Sequence, residues 1–188
     1  MSRIRTFIAV DLDKAVRNRT VALQETLKES GTEVKWVEPE NLHVSLLFLG
    51  EVDEREVADV CRIVSETTQQ HSSFTMNVET AGCFPHERRP RVLWVGVGAG
   101  KQELCAIHDS LEIALLDLGF RREDRKYSPH ITLGRVKSDR STDSLAAALA
   151  RQAEWKGGEI QVSEVLVMGS KLTPQGPEYT VLSRAKLG

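Results

Sequence analysis

The chain has 188 residues, 40% of them hydrophobic and 28% charged, with a formal net charge of −2. This balance suits a globular chain with one good core and excludes a collagen, a coiled-coil rod and a disordered polymer. No apolar run is long enough for a membrane helix, and 25 basic residues offset by 27 acidic ones argue against a protein that coats a nucleic-acid duplex.

In chain order, residues 3–10 form a β-rich run whose apolar part, Phe7 to Val10, is too short for a secretory core. Asp11 and Asp13 offer N-caps to a helix predicted over residues 14–28, with Val16, Leu23 and Leu27 on one face and Gly31 just past its end. A strand carrying His43 runs to Gly50, and Asp53 is placed to cap a helix over residues 54–70. Strands follow at 74–82 and 91–98, then a helix over 101–118 with Leu104, Ile107, Leu111 and Leu115 aligned. A strand runs from His130 to Val136, a short Ala-rich helix covers 142–153, and strands at 159–171 and 178–186 close the chain. Gly96, Gly98 and Gly100 lack the full dinucleotide fingerprint and fit a strand-to-helix turn. Three widely spaced cysteines, Cys61, Cys83 and Cys105, read as reduced thiols of a cytoplasmic protein.

The order is β-α-β-α-β twice, plus a final strand, and it coincides with a repeat. Leu42-His43-Val44-Ser45-Leu46 resembles Pro129-His130-Ile131-Thr132-Leu133, with the histidines 87 positions apart. The same offset carries Phe7 onto Trp94 and Val78 onto Val165; applied again, it carries Trp94 onto Val181. A register kept across several elements points to a duplicated unit. The expected fold is α+β: one bilobal domain over residues 1–188, related by a pseudo-twofold, with two small, mainly antiparallel sheets. Two helices back each sheet and the active site lies in the central cleft.

Alternation in a strand places His43, Ser45 and Leu47 on one face, and Val44, Leu46 and Phe48 on the other, core-facing side. In the second copy His130 and Thr132 point away from the core. Each lobe then shows an imidazole and a hydroxyl roughly 7 Å apart along the strand. Two imidazoles can divide acid and base work near neutral pH, and two hydroxyls suit the oxygens of a phosphodiester. Strict alternation turns Arg135 toward the core, so it reaches a phosphate only if the strand ends or bulges at Gly134.

The paired His-x-Ser/Thr-x motifs, His43-Val44-Ser45-Leu46 and His130-Ile131-Thr132-Leu133, resemble those of the two-histidine (2H) phosphoesterase superfamily. The likeness extends to LigT/ThpR-type RNA 2′,3′-cyclic phosphodiesterases, also called the 2′-5′ RNA ligase family. It is carried by 5–10, 41–50, 90–97 and 127–136, with Ser170-Lys171-Leu172, Gly176 and Tyr179 as the closing hairpin. Ser45 stands where the family more often has Thr, and a serine hydroxyl donates equally well. The resemblance implies metal-independent opening of RNA 2′,3′-cyclic phosphates to 2′-phosphomonoesters, without a cofactor, and possible reversible 2′-5′ ligation. It further implies that His43 is the proton donor, His130 the proton acceptor, and Ser45, Thr132 and Arg135 substrate-binding residues. Spacing alone does not assign the two histidine roles.

The expected partners are RNA ends or nucleoside 2′,3′-cyclic phosphates rather than a membrane, and the expected state is a monomer. A non-catalytic binder of RNA cyclic-phosphate or phosphate ends is the alternative, though arginine would serve binding better than paired imidazoles. A metal-dependent hydrolase is disfavoured because no carboxylates accompany the histidines in the motifs. Cys83 and His86 make only half a zinc set, and His71, His86 and His108 read as surface or helix-face residues. Arg121, Arg122, Arg125 and Lys126 either draw in an RNA backbone or form a solvated loop, and Trp36 either stacks a base or packs in the core.

Overall fold

The computed structural model describes residues 2–138 and 142–188. Strand β1 (Arg3–Asp11) feeds helix α1 (Lys14–Lys28). Asp13 caps that helix, its Oδ1 accepting the Val16 N–H at 2.8 Å, and Gly31 takes the left-handed conformation at φ 72° that ends it. A short β2 (Val34–Trp36) and a 3-10 turn, Pro39–Asn41, lead into β3 (His43–Asp53). Asp53 does not cap the next helix. It ends β3, and its carboxylate accepts from the backbone and guanidinium of Arg55, so α2 (Val57–Thr68) starts later than the sequence suggested. Strand β4 (Phe74–Phe84) completes the first half.

The second half holds β5 (Val92–Val97), α3 (Lys101–Ala114), β6 (His130–Val136), α4 (Thr142–Arg151), β7 (Lys156–Val162), β8 (Glu164–Thr173) and β9 (Gly176–Lys186). The strand expected over 159–171 is thus two strands that part at Ser163, where no glycine or proline marks the break. Strand β2 escaped sequence reading because three residues give no periodicity.

All pairings are antiparallel, in the order β7-β4-β5-β6-β3-β1-β8-β9, with β2 bonded to β6. The two four-stranded groups meet at the pair Val44 and Ile131. Helices α2 and α3 pack on the group containing β3, and α1 and α4 on the group containing β6. The duplication is therefore real but interleaved. Strand β4, from the first half, lies in the lobe of β5 and β6, and β8, from the second, lies in the lobe of β1 and β3. The offset of 87 holds for Phe7 with Trp94 on the inner strands β1 and β5, and for Val78 with Val165 on β4 and β8. Its further step to Val181 is not an equivalence in place: that residue lies on the outer strand β9, whose counterpart is β7.

The helix-facing side of both sheets is closed by Ile8, Val44, Leu46, Val95, Ile131 and Leu133 with Leu27, Leu104, Ile107 and Leu111, all at 3% exposure or less. Each such side chain contributes about 1.5–3 kcal/mol by leaving water. Among the irregularities of the sheet, one is matched between the lobes. In β3, Ala9 pairs with Ser45 but Ile8 with Leu47, so the chain bulges at Leu46. Leu46 and Leu47 are then both buried, and Phe48 turns to the open face at 48% exposure. This overturns the sequence-based sides of Leu47 and Phe48, because one inserted residue inverts the phase of those that follow, here up to a second register shift at Leu49. In β6, Trp94 pairs with Thr132 but Leu93 with Gly134, so Leu133 is the extra residue and Arg135 emerges exposed. The bulge that Arg135 required is present, one residue before Gly134. Its Leu133 carbonyl accepts from the Val37 N–H and from Nε2 of Gln24, a buried amide of α1, both at 2.9 Å.

Candidate active site

Because Val44 faces Ile131, antiparallel register sets His43 beside Thr132 and Ser45 beside His130 on the face away from the helices. The two imidazoles are diagonal neighbours, a relation that in a regular pair spans about 7–8 Å. Their proximity is felt electrostatically, since the charge of His130 contributes to lowering the His43 pKa.

The same local device orients both rings. Nδ1 of His43 meets the Asn41 carbonyl at 2.6 Å, and Nδ1 of His130 meets the Ser128 carbonyl at 2.8 Å. A carbonyl only accepts, so each Nδ1 carries the proton and each Nε2 is left for chemistry. Nε2 of His43 lies 2.8 Å from the Ser45 hydroxyl, which donates when the imidazole is neutral. Each ring also has an aromatic wall. His43 packs on Phe7 at 5.0 Å and edge-on to Tyr179 at 5.6 Å. His130 meets Phe84 edge-on at 5.3 Å, and Phe84 leans on Trp94 at 5.2 Å. Gly82 and Gly96 leave room for that indole: a Cβ at Gly82 would lie 2.6 Å from its ring.

Burial is the main cause lowering the His43 pKa below its ordinary value; the charges of Arg17 and His130 act in the same sense, while the Asn41 carbonyl and Asp11 oppose it. Free His43 is therefore neutral at pH 7.

His43 stands in the wall between two clefts, each of about 690 Å3. One is lined by Arg5, Lys28, Lys35 and Arg135 against a lone carboxylate, Glu38, and contains Ser45, Thr132, Trp36 and Phe48. The other carries Asp11, Glu40 and Glu178 against Arg17, which is already bound to Asp11 at 2.6 Å. Coulomb attraction directs a phosphate to the first and away from the second. His43, Ser45, Thr132 and Arg135 thus share one cationic cleft, and His130 lies on the same strand face as Thr132.

Trp36 serves both expected purposes: it packs against the core and lines the cationic cleft, with Lys28 5.8 Å above its ring. The guanidinium of Arg5 lies 4.9 Å over Phe48. Arg121, Arg125 and Lys126 are exposed outside the cleft lining, whereas Arg122 pairs with Glu112 at 3.4 Å. His71 bonds Ser110, His86 is exposed, and His108 lies on the inner face of α3, buried at 4% exposure. It stacks on Tyr127 with ring centroids 4.2 Å apart. His108, Asp109 and Glu112 bring ligand atoms within 4.8 Å of one another, yet Glu112 is committed to the Glu123 N–H at 2.8 Å. Among the described residues, Cys83 and His86 join no such group. The sequence reading gives no site role to Phe48, Lys28, Lys35 or Tyr127; Phe48 and Tyr127 lie in the matched segments 41–50 and 127–136 but outside both His-x-Ser/Thr-x tetrads. It quoted Phe7 and Tyr179 only as parts of longer matches; their aromatic character two strands apart is the signal it left unused.

The chain is similar to known proteins along nearly its whole length. The chain is 40% identical over 178 residues to the RNA 2′,3′-cyclic phosphodiesterase of Methanothermobacter thermautotrophicus, covering 95% of this chain and 96% of that one. It is 41% identical over 177 residues to the protein of the same name from Archaeoglobus fulgidus, covering 94% and 96%. A solved structure from Thermus thermophilus superposes with a TM-score of 0.83 at 29% identity and 98% coverage of both chains. E. coli LigT complexed with 3′-AMP shares the fold at a TM-score of 0.80 and 24% identity, over 99% of both chains. No helix among the described residues is long and apolar enough to cross a membrane. The family description LigT like Phosphoesterase matches twice, over residues 10–94 and 95–179, and with the two interleaved copies and their facing histidines it establishes that the chain belongs to this phosphoesterase family.

Proposed function

We propose that the protein hydrolyses RNA 2′,3′-cyclic phosphodiester ends to 2′-phosphomonoesters, without a metal, by paired-histidine acid–base catalysis. The observation that carries this reading is the pair of imidazoles whose Nδ1 atoms are fixed by backbone carbonyls and whose Nε2 atoms are left for proton transfer on one face. The activity printed for relatives at 40% and 41% identity supports it.

The cyclic phosphate enters the cationic cleft, where Arg135 and the hydroxyls of Ser45 and Thr132 hold its nonbridging oxygens. Nε2 of His130 takes a proton from water as its oxygen bonds to phosphorus. The P–O3′ bond breaks, and the departing oxygen takes the Nε2 proton of His43. His43 must be an imidazolium for that step, and the bound anion supplies the opposing charge that raises its pKa from the lowered free value. The same path with a 5′-hydroxyl in place of water joins ends through a 2′-5′ linkage, and its reversal, O3′ attacking phosphorus as the 5′-oxygen leaves, cleaves that linkage. We read residues 1–188 as one bilobal domain, acting as a cytoplasmic monomer because the two halves already supply both histidines.

Incubation with a nucleoside 2′,3′-cyclic phosphate in excess chelator is expected to yield only the 2′-phosphate. Binding without turnover would replace this reading with that of an RNA-end binder, and loss of activity in chelator would point to a metal enzyme.

A further inference from the structure

The two catalytic arms touch through few groups, and one of them is a tyrosine outside both motifs. Residues 119–129 run without regular secondary structure from the end of α3 to His130. Helix α3 packs on β3, in the lobe of His43, so a helix of one lobe borders the segment that delivers the histidine of the other. It holds that segment at two places. Glu112, 8% exposed, accepts the Glu123 N–H at 2.8 Å and lies 3.4 Å from Nε of Arg122. One turn earlier, the buried ring of His108 lies parallel to that of Tyr127, with an interplanar angle of 4°. The Tyr127 hydroxyl then donates to the Ser45 carbonyl at 2.8 Å. Ser45 is the residue whose own hydroxyl meets Nε2 of His43.

We infer that Tyr127 is a positioning residue that couples the arms: its hydroxyl fixes the Ser45 backbone, and so the Ser45–His43 hydrogen bond, from a point three residues ahead of His130. This rests on the reading that the two histidines carry the chemistry. A tyrosine suits the task because burial pushes its hydroxyl pKa far up, so it remains a donor at every working pH. Its stacking on His108 fixes the ring plane and leaves little freedom to the O–H.

The test is Tyr127→Phe, which removes one oxygen and keeps the ring and its stack. Two readouts are taken: turnover of a nucleoside 2′,3′-cyclic phosphate, and titration of the His43 ring by NMR in the ligand-free protein. The Ser45 hydroxyl stabilises neutral His43 by donating to Nε2, so losing its alignment raises the His43 pKa toward the ordinary value, while Asp11, Arg17 and His130, the other charges acting on that ring, are unchanged. We expect kcat to fall about tenfold, as for one lost alignment in a transition state, with KM within about twofold. Ser45→Ala combined with Tyr127→Phe should be no worse than Ser45→Ala alone, since both act through one contact. His108→Leu, which loosens the stack, should move both readouts the same way by a smaller factor. An unaltered His43 titration, or multiplicative losses in the double variant, overturns the inference. If the wild-type protein fails to turn over cyclic phosphate, the functional reading falls, and the His43 titration still decides the role of Tyr127.

Discussion

The arm of His43 and the arm of His130 share a backbone and differ in side chains. Both fix Nδ1 to the carbonyl two residues earlier, and both bulge three residues later. Past the bulge, the first arm presents Phe48 and the second presents Arg135, at matching positions of the repeat. His43 is walled by Phe7 and Tyr179 and bonded to Ser45, whereas His130 meets the edge of the exposed Phe84. On the proposed function, duplication supplies two equivalent proton-transfer groups and the divergence around them gives the reaction a direction, with the His43 pKa lowered by burial in one lobe and the guanidinium carried by the other.

The sharpest way to break this contrast is to remove each imidazole. His43→Ala and His130→Ala are each expected to lower kcat by about 10²–10⁴. With an aryl phosphodiester, whose leaving group needs no proton, the first variant should recover most of its activity and the second should not. Equal recovery in steady-state assays would erase the distinction between acid and base.

Next comes the position after the bulge. Arg135→Phe, which makes the arms alike, should cut kcat/KM by roughly 10² by removing a charge-assisted contact to phosphate. Phe48→Arg should change kcat by less than about threefold. Comparable losses in the two variants would mean that the cleft reads charge without regard to lobe.

The pH profile sharpens the comparison without mutation. Burial holds the His43 pKa below about 6.5, the ordinary histidine value, so the kcat/KM profile should carry one limb below that value, whichever proton-transfer role the ring has. In the complex the bound anion raises that pKa, so the corresponding limb of kcat lies at higher pH. A kcat/KM profile with no limb below 6.5 would show that the free His43 ring is not depressed.

The smallest effect expected is at Gln24. Gln24→Leu removes two hydrogen bonds, to the carbonyls of Val37 and Leu133. Stability measured by urea unfolding should drop by about 1–3 kcal/mol, and kcat/KM should move partway toward that of the Arg135 variant. A stable variant with unchanged kinetics would show that the second bulge holds without α1.

Much of this was legible beforehand. The stripes at Val16, Leu23 and Leu27 and from Leu104 to Leu115 are buried as the 3.6-residue period requires. The paired motifs located the site, because facing strands bring equivalent positions together. What escaped was set by tertiary pairing. Nothing local in Ser45-Leu46-Leu47-Phe48 announces a bulge, since that is a mismatch with β1; so Leu47 and Phe48 were assigned to the wrong sides. The same holds for Ser163, where the chain leaves one lobe for the other through residues that would equally continue a strand. The burial of His108 depends on Tyr127, nineteen positions on, and no period links them.

The exchange of third strands has a mechanical consequence. Severing the chain between β4 and β5 would leave β4 with both its neighbours, β5 and β7, on the other fragment, and would strip the β8–β9 hairpin of its partner β1, so neither piece could complete both sheets by itself. The molecule resembles two people with linked arms more than two beads on a string: pulling the two halves of the chain apart would require tearing hydrogen-bonded ladders in both lobes. The lobes are joined by the crossings of the chain between them as well as by the Val44–Ile131 bridge.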